Sequence, residues 1–423
     1  MQVQWDFETG SSTLGGSDLC FPQATARMTT DWKTSLDAIV ADNANKVVTL
    51  RRHLHAHPEV SGNELQTSLH IYQLLDKLDL NVRMGPEGCG VVAENRSSSP
   101  RVAIRGDIDA LSIQDEKDVS YRSTHAGVMH ACGHDAHAAM IYGTIRALSD
   151  IEQTDQLPWP VSWRAIFQPS EETATGAAKM IQADALDGVS RIFGLHVDPT
   201  RRTGEIGIRS GPMTAHCDLL CLTIHGQGGH AARPHESKDP IAAAAQLVST
   251  LYQFVPRATD SHDAVVLTIG RLRGGENPNV IPDQVELSGT VRTLDPAVRT
   301  RTVEQIRQVA RGVGEITSTT IDVQFPTNIP SVHNDAQLSS LVWKEAEEVL
   351  GEDNVQLIAR PSMGSEDFAC YLQQVPGVMF RLGSAKDLSA TTALHTPKFD
   401  IDEAALEVGT RILARSVIMA SRD

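Results

Sequence analysis

The sequence is poor in aromatic residues, which make up only 4% of its 423 positions and give no indication of a pocket that stacks a ring. No apolar run approaches the roughly 20 residues of a transmembrane helix, and the first 30 residues lack the basic and apolar segments of a secretion signal. Six cysteines in so long a chain are too few for a disulfide scaffold. We therefore expect reduced thiols, a cytoplasmic location and a poorly ordered extension over residues 1–30.

The chain also lacks an excess of basic residues, since 53 acidic side chains outnumber 37 lysines and arginines and the net charge is −16. Nucleic acids and anionic membrane surfaces require basic patches, so the charge balance argues against both as partners. The length exceeds that of one ordinary hydrophobic core, which predicts two domains. These limits favour a soluble globular protein.

The most informative stretch is the segment MHACGHDAH at residues 129–137. Cys132 and His134 flank Gly133, which tolerates a sharp bend, so a thiolate and an imidazole can turn toward one point. The pattern alone is weak, because most cysteines and histidines are packed or solvated rather than bound to metal. It predicts half of a metal site, and further ligands must lie elsewhere in the chain.

Other metal-capable side chains follow predicted strands. One apolar strand leads into the segment PSEE, where Glu171 and Glu172 leave the chain in different directions. One carboxylate can then bind metal while the other faces the substrate. A later strand carries His196 near its end, and His395 lies in a loop before the last helix. Because ligands bind at the ends of strands in open α/β sheets, we expect these residues to meet.

Together these positions supply five candidate metal ligands: Cys132, His134, Glu172, His196 and His395. A single zinc ion normally takes no more than four protein ligands. Five ligands suit a two-metal site, in which ions about 3.5–4 Å apart clamp a water nucleophile and polarise a carbonyl.

Two neighbouring features have competing interpretations. Asp109, which follows another strand, is a candidate to accept a hydrogen bond from a ligating imidazole, and it is equally consistent with a solvated loop carboxylate. His53, His55 and His57 resemble a metal cluster, but Pro58 ends their helix and no cysteine or carboxylate pair lies beside them. We expect these histidines to be structural or to support a ligand.

The middle of the chain has a different pattern. Predicted elements over residues 218–225, 239–255, 264–272, 284–293, 297–316 and 320–325 follow the order β-α-β-β-α-β. This order predicts a ferredoxin-like unit over residues 216–325, inserted between the two parts of a catalytic domain, 31–215 and 326–423. Exposed sheet edges or a helix face would pair with a second copy, so a homodimer is expected.

Nine segments in order resemble the N-acyl-amino-acid amidohydrolases, which include hippurate hydrolases, aminoacylase-like enzymes and plant auxin-conjugate hydrolases. The segments are HLHAHPE, GDIDAL, MHACGHDAH, PSEE, GLHV, GGHAARPH, NVIP, MGSEDF and LHTPKFD. The resemblance covers about residues 31–423 and implies a zinc-peptidase-like α/β catalytic domain interrupted by a smaller lid that also dimerises. Gly106 and Ser112 depart from the family pattern, which has alanine and proline there, as does the stretch before residue 31.

The resemblance also implies roles for single residues. The five candidate ligands would bind two divalent ions per subunit, with manganese, zinc, cobalt or nickel as the metals. Glu171 would be the general base. His230, from the glycine-rich turn of the lid, would stabilise the oxyanion in the catalytic centre of the partner subunit. Asn279 and Arg292 would hold the substrate carboxylate.

Two other functions remain open on the residues. A dipeptidase or aminopeptidase would use the same two-metal chemistry but would recognise a free substrate amine, for example with an acidic pocket residue. A non-catalytic binding protein on an enzyme scaffold is disfavoured by the intact Glu171 and ligand set. The sequence does not specify the acyl group or the amino acid, because pocket walls are dispersed along the chain.

Overall fold

The computed structural model describes residues 31–96 and 102–422, and the predicted extension over residues 1–30 lies outside the described residues. Helices in this part of the chain span Trp32–Ala56 (α1), Leu65–Leu75 (α2), His134–Glu152 (α3), Gly176–Gln182 (α4), Pro240–Ala258 (α5), Pro296–Thr317 (α6), Ala336–Leu350 (α7), Phe368–Leu372 (α8) and Ala404–Ala420 (α9). Short 3₁₀ turns lie at Pro86–Gly88, Pro234–Glu236 and Glu352–Asn354. None of the described helices is long and apolar enough to cross a membrane.

The strands in the described part of the chain vary in length from two to twelve residues. They span Asn81–Met84 (β1), Val91–Glu94 (β2), Val102–Asp107 (β3), Trp163–Gln168 (β4), Arg191–Arg202 (β5), Ile206–Ile208 (β6), Gly211–Pro212 (β7), His216–His225 (β8), Gly229–His230 (β9), Val265–Arg273 (β10), Val280–Ile281 (β11), Gln284–Thr293 (β12), Thr320–Gln324 (β13), Asn328–Ile329 (β14), His333–Asn334 (β15), Val355–Leu357 (β16) and Gly377–Ala385 (β17).

An eight-stranded sheet forms the larger layer, with the spatial order β1-β2-β4-β3-β5-β17-β6-β16. Its centre is parallel, since β3 runs in the same direction as β4 and β5, and β5 runs in the same direction as β17. At one edge β1 and β2 pair in the antiparallel sense. The carboxyl ends of the central strands therefore lie at the same end of the sheet, where open α/β sheets bind ligands.

Helices cover both faces of this sheet, as neighbouring residues of β3 show. Val102 and Ile104 belong to the apolar core under α1, α3, α7 and α9, whereas Ala103 belongs to the core under α4 and α8. Successive residues of a strand point to opposite faces, so the first three residues of this strand, which is covered on both sides, are all apolar. Gly106 faces α3, and a Cβ there would lie 2.8 Å from Ile141 Cγ1. A larger residue at this position would therefore require the Ile141 side chain or α3 to shift.

A second sheet is built from β8, β10, β12 and β13 in the spatial order β10-β12-β8-β13, and β14 also pairs with β8. All these pairs are antiparallel, and α5 and α6 pack on the sheet around an apolar core of their own. The α/β class with a ferredoxin-like (α+β) unit is thereby confirmed. The boundaries at 216 and 325 and the role of this unit as a lid stay predictions.

Aspartate caps begin both helices of the second sheet. Asp239 Oδ1 accepts a hydrogen bond from the backbone N–H of Ile241 over 2.9 Å, and Asp295 Oδ1 accepts one from Ala297 over 2.7 Å. In both helices a proline follows the cap at the first helical position, where its missing N–H would have had no partner in the helix. The Asp-Pro pairs in the sequence therefore fix where α5 and α6 start.

Candidate metal centre

Gly133 shapes the turn from which Cys132 and His134 project. Its φ is +89°, in the left-handed region that favours glycine. A Cβ at this position would lie 2.5 Å from Val197 Cγ2, so a larger residue does not fit without a shift. Because α3 begins at His134, the turn delivers a thiol and an imidazole to the carboxyl end of the central strands.

The turn after β4 positions Glu171 and Glu172. Ser170 has a φ of +57°, and its backbone N–H and its hydroxyl both donate to Glu64 Oε1, over 2.8 and 3.3 Å. Glu64 is buried at the start of α2. The backbone N–H of Glu172 donates to Asp109 Oδ2 over 3.0 Å. These contacts tie the two glutamates to α2 on one side and to the end of β3 on the other.

The structure brings all five predicted metal ligands together. Cys132 Sγ lies 3.5 Å from His196 Nε2 and 3.3 Å from His395 Nε2. Glu172 Oε1 lies 3.4 Å from His395 Nε2 and 3.9 Å from His134 Nε2. The donor atoms form two groups that share the thiol, one of Cys132, His134 and His196 and one of Cys132, Glu172 and His395, and within each group they lie within 4.8 Å of one another. Two such groups match the ligand supply of a two-ion site.

Unpaired buried atoms test whether these residues fit metal ions. Among the described residues, His134 Nε2 and Glu172 Oε1 are buried and have no hydrogen-bond partner. Buried polar atoms are rarely left without one. Thiolate, imidazole and carboxylate are the donors that bind zinc and related divalent ions in proteins. The residues present therefore fit a pair of divalent ions.

Hydrogen bonds fix the orientation of two imidazole rings. His134 Nδ1 lies 2.9 Å from the carbonyl oxygen of Asp109 and 3.1 Å from its Oδ1, and His196 Nδ1 lies 2.7 Å from the carbonyl oxygen of Val197. When each Nδ1–H donates, the Nε2 lone pair is left free for a metal ion. Burial alone would raise the pKa of Asp109, but the hydrogen bond and charge of His134 outweigh burial and lower it. Asp109 thus stays an ionised acceptor.

The surroundings of His134 favour positive charge. Burial alone would lower its pKa, but the charge of Asp107, whose Oδ2 lies 3.7 Å from His134 Nε2, and the nearby Cys132 raise the pKa well above its ordinary value. At His196 burial lowers the pKa, and the guanidinium of Arg381 lowers it further. The side of the cluster around His134 therefore attracts cations. On the other side, His196 is a neutral imidazole with a free lone pair.

Glu171 lies beside the five-residue cluster. Its side chain is 11% exposed, and its Oε2 lies 4.0 Å from His134 Nε2. Burial raises the pKa of Glu171 well above its ordinary value, and the carboxylates of Glu366 and Asp367 raise it further. A carboxylate with a raised pKa accepts a proton more readily near neutral pH, which is the property that a general base requires.

Residues 103–418 match the family model described as peptidase family M20/M25/M40. The chain belongs to this family. The M20 chain is 39% identical over 385 residues to the N-acetylcysteine deacetylase of Bacillus subtilis (strain 168), which covers 90% of this chain and 98% of the relative. It is 34% identical over 374 residues to the IAA-amino acid hydrolase ILR1-like 4 of Arabidopsis thaliana, and the match covers 87% of this chain and 84% of the relative.

Among solved structures, a dinuclear metal binding peptidase of the M20 family from Bacillus subtilis matches this chain with a TM-score of 0.76 at 35% sequence identity. The match covers 90% of this chain and 99% of the other.

Membership confirms two predictions from the sequence. The first is the resemblance to amidohydrolases, and the second is an enzyme that acts on linear amides. The solved M20 neighbour binds two metal ions, and the M20 chain offers two groups of donor atoms that share Cys132.

The predicted residues of the second sheet are placed differently. Among the described residues, the groups of metal-capable side chains in the M20 chain do not include His230, and Asn279 is exposed. His230 is exposed on β9, which pairs with β11, and Ala231 N–H donates to the carbonyl oxygen of Asn279 over 3.1 Å. Arg292 Nη1 donates to the carbonyl oxygen of Met363 over 2.9 Å. Arg292 therefore links the second sheet to the loop before α8.

Sequence reasoning missed a buried charged network in the M20 chain. Arg105 in β3 pairs with Asp107 Oδ2 and Asp367 Oδ1, each over 2.7 Å, and lies 3.1 Å from Glu366 Oε1. The network holds Glu366 and Asp367 within 4.8 Å of Glu171. The available signal was an arginine inside an apolar strand, because buried charges are tolerated only when they are paired.

His137 was also missed as a contributor to the M20 site. Its Nδ1 lies 2.6 Å from Asp107 Oδ1, and its Nε2 accepts a hydrogen bond from Val197 N–H over 3.0 Å. It joins α3, one turn after His134, to the residue that follows His196 in β5. The spacing of His134 and His137 on one face of a helix was the signal that could have found it.

Proposed function

We propose that this M20 hydrolase cleaves the amide bond of N-acyl amino acids, either hippurate-like or N-acetyl, to a carboxylic acid and a free amino acid. The observation that carries the proposal is the meeting of the five donor residues beside a carboxylate, Glu171, whose pKa burial raises. The names of the relatives, a deacetylase of N-acetylcysteine and a hydrolase of amino acid conjugates, support the substrate class.

The proposed ligands are Cys132, His134, Glu172, His196 and His395, and the proposed cofactors are two divalent ions per subunit. Such ions lower the pKa of water to about 7 and polarise a carbonyl. The sulfur donor favours zinc, while the imidazole and carboxylate donors also suit manganese, cobalt or nickel. Asp109 holds the ring of His134 in the orientation that presents Nε2.

Glu171 is proposed to move the proton. It would accept a proton from the attacking water at its carboxylate and deliver that proton to the departing amine. Its low exposure and its carboxylate neighbours support this role, because both raise its affinity for a proton. Glu172 differs, since its Oε1 faces His134 and His395.

The second sheet, residues 216–325, is proposed to be a lid that also forms a homodimer. His230 is exposed and lies outside the metal cluster of its own chain, which supports a role at the catalytic centre of a second copy. There its ring would stabilise negative charge on the amide oxygen. β10 is an edge strand with exposed Val266 and Leu272, and such edges pair with further strands.

Asn279 and Arg292 are proposed to bind the substrate carboxylate. Arg292 can offer further N–H groups of its guanidinium beyond the one that donates to Met363. Asn279 is exposed in the segment beside His230.

The proposed location of the protein is the cytoplasm, where the five free cysteines among the described residues stay reduced.

Parallel assays test the proposed reaction. Protein supplemented with Mn²⁺ or Zn²⁺ would be given N-acetyl and N-benzoyl amino acids, and separately dipeptides with a free amine. We expect hydrolysis of the acyl series to exceed that of dipeptides by at least about 100-fold, because a site without a partner for the ammonium group rejects it. The Glu171→Gln variant, assayed alongside, controls for contaminating hydrolases.

Two other outcomes of these assays would favour a different function for the protein. Preferred cleavage of free dipeptides would assign a dipeptidase or aminopeptidase. Metal-containing protein that hydrolyses neither series would be a binding protein on an enzyme scaffold.

A further inference from the structure

A cavity of about 270 Å³ lies beside the metal centre. Its lining includes Val197, which follows the candidate ligand His196 in β5, and Leu394, which precedes the candidate ligand His395. The cavity, called here the arginine pocket, therefore adjoins two of the proposed metal ligands. Its volume is below the roughly 300–1,000 Å³ of pockets that enclose a whole ligand, so it suits one part of a substrate.

The arginine pocket carries an excess of positive charge. Three of its lining residues are arginines, Arg201, Arg360 and Arg381, and one is an aspartate, Asp198. The aspartate is already paired, since Arg201 Nε lies 3.2 Å from Asp198 Oδ2. The chain as a whole carries a net charge of −16, so this local surplus of cations contrasts with the rest of the molecule. Such a surplus attracts an anion.

Two of the guanidinium groups are free to bind a ligand. Within residues 31–96 and 102–422, the side chains of Arg360 and Arg381 form no hydrogen bond and no ion pair. Arg360 is exposed, whereas Arg381 is half-buried. A half-buried guanidinium has lost part of its hydration, and a carboxylate replaces the lost contacts with charge-assisted hydrogen bonds.

The large sheet places Arg381 next to the metal centre. In the parallel pair of β17 and β5, Arg381 is the partner of His196. Side chains of paired residues lie on the same face of a sheet, because both strands alternate with the same period of two. Neighbouring strands are about 4.8 Å apart, so a group attached to a substrate at the metal centre can reach the guanidinium of Arg381.

A hydroxyl group adds a neutral donor to the same pocket. Ser362 lies between β16 and α8 and lines the cavity. Its Oγ accepts a hydrogen bond from Gly364 N–H over 2.9 Å, so the proton of the hydroxyl is available for another acceptor. Ser362 N–H donates to the carbonyl oxygen of Met213 over 2.9 Å, which fixes this segment against another lining residue.

The rest of the lining is mostly apolar. Val197 and Met213 are buried, and Ile358 and Leu394 are half-buried. Apolar side chains exclude water, and hydrogen bonds between charged groups are stronger where water is excluded. The combination of apolar walls with free guanidinium groups suits a short methylene chain that ends in a carboxylate.

We propose that the arginine pocket binds a second carboxylate of the substrate, so that the preferred substrates are N-acyl amino acids with two acidic groups. This proposal rests on the proposed hydrolysis of N-acyl amino acids and adds the charge of the substrate to it. The α-carboxylate is proposed above for Asn279 and Arg292, and Arg292 Nη1 donates to Met363, the residue after Ser362. The second carboxylate belongs either to an acidic side chain or to a dicarboxylic acyl group such as succinyl, because both place it a few bonds from the amide.

Calorimetric binding to the metal-loaded Glu171→Gln variant tests the proposal, because this variant is expected to bind substrates without cleaving them. One pair of ligands is N-acetylglutamate and N-acetylglutamine, which differ in charge at the end of the side chain. The other pair is N-succinylalanine and the same compound with its succinyl carboxylate converted to an amide. In at least one pair, the acid is expected to bind about 10–100-fold more tightly than the amide. The pair with the preference identifies which end of the substrate enters the pocket.

Substitutions added to Glu171→Gln assign this preference to the pocket. Arg381→Gln should reduce the ratio of the two dissociation constants at least about 10-fold, and Arg381→Lys should retain part of it because the charge is kept. Arg360→Gln, at an exposed position, guards against a folding defect and should lower the same ratio. Arg83→Gln is the matched control, since Arg83 is exposed on β1 at the opposite edge of the sheet from β16. It should leave the ratio unchanged.

Equal or undetectable binding of acid and amide in both pairs would overturn the proposal. A preference for the acid that neither arginine substitution reduces would also overturn it. Failure of the proposed hydrolysis is a separate result, because it would appear as absent turnover in the wild type. The ratio of dissociation constants reports on the pocket whether or not the wild type cleaves these compounds.

Discussion

Arg51 Nε lies 2.9 Å from Asp135 Oδ2, and each side chain is only 1% exposed. Asp135 follows His134 in the first turn of α3, whereas Arg51 belongs to α1. Burial alone would raise the pKa of Asp135, but Arg51 and His55 outweigh burial and hold the pKa well below its ordinary value. The pair therefore anchors the helix that carries a candidate metal ligand.

The first prediction concerns this buried pair. Arg51→Met should lower the free energy of unfolding by about 3–5 kcal/mol, because it leaves a buried carboxylate uncompensated. The neighbouring Arg52 is 47% exposed and pairs with Glu403, so Arg52→Met should change stability by less than about 1 kcal/mol. Urea titrations of both variants measure the difference, and equal losses would mean that burial of Arg51 is not decisive.

The second prediction separates two adjacent glutamates. Glu171→Gln should purify with its full metal content, because all five proposed metal ligands are intact. Its kcat should fall by about 10²–10⁴-fold, because the proton acceptor is missing. Glu172→Gln should lose bound metal as well, since its Oε1 faces both His134 and His395. Metal analysis and kinetics on the same preparations test both variants. Near-full activity of Glu171→Gln would refute its assignment as the base.

The third prediction concerns the shared thiol. Cys132 belongs to both donor groups, so Cys132→Ser should reduce the metal content and not merely the activity. Cys221→Ser, in β8 of the second sheet, is the control and should retain metal. Metal-to-protein ratios after dialysis distinguish the two. Unchanged ratios in both variants would remove Cys132 from the ligand set.

The fourth prediction tests the role of His230 across a dimer. Glu171→Gln and His230→Ala should each be inactive alone, but subunits mixed under conditions that exchange them should recover about a quarter of wild-type activity. Half of the randomly formed dimers are mixed, and in each of these one centre has both an intact Glu171 and an intact His230 from the other copy. If His230 acted within its own chain, mixing would restore nothing.

The fifth prediction is a dependence of stability on pH. The folded protein holds the pKa of His70 at about 4, below its ordinary value of 6.5, because of burial first and the neighbouring His53, His57 and Lys77 second. The unfolded chain therefore binds more protons between these values, so this contribution to stability is present above pH 6.5 and is lost as the pH falls toward 4. Urea midpoints of the wild type should decline over this range.

His70→Gln should flatten that decline, while His262→Gln should not alter it. The buried His130, whose pKa burial also lowers to about 4, keeps part of the slope in every variant. An identical slope in wild type and His70→Gln would contradict the assignment.

Several elements could be predicted from the sequence because their patterns are local. The predicted strand at 284–293 matches β12 residue for residue, and the predicted strand at 320–325 matches β13 to within one residue. In both, the periodicity of apolar residues is set by one buried face. The short strands β1 and β2 and the short helix α4 were missed, because elements of four to seven residues carry too little pattern to distinguish them from loops.

The sequence by itself determined the metal-capable residues, their order along the chain and the β-α-β-β-α-β pattern of the second sheet, because side-chain chemistry and periodicity are local properties. Only the tertiary structure decided that Arg105 would be paired with Asp367, 262 positions away, and that His53 and His57 would meet His70 and His125. Such contacts depend on how helices pack on the sheet. They arise from burial and charge compensation between distant segments, which no window of the sequence contains.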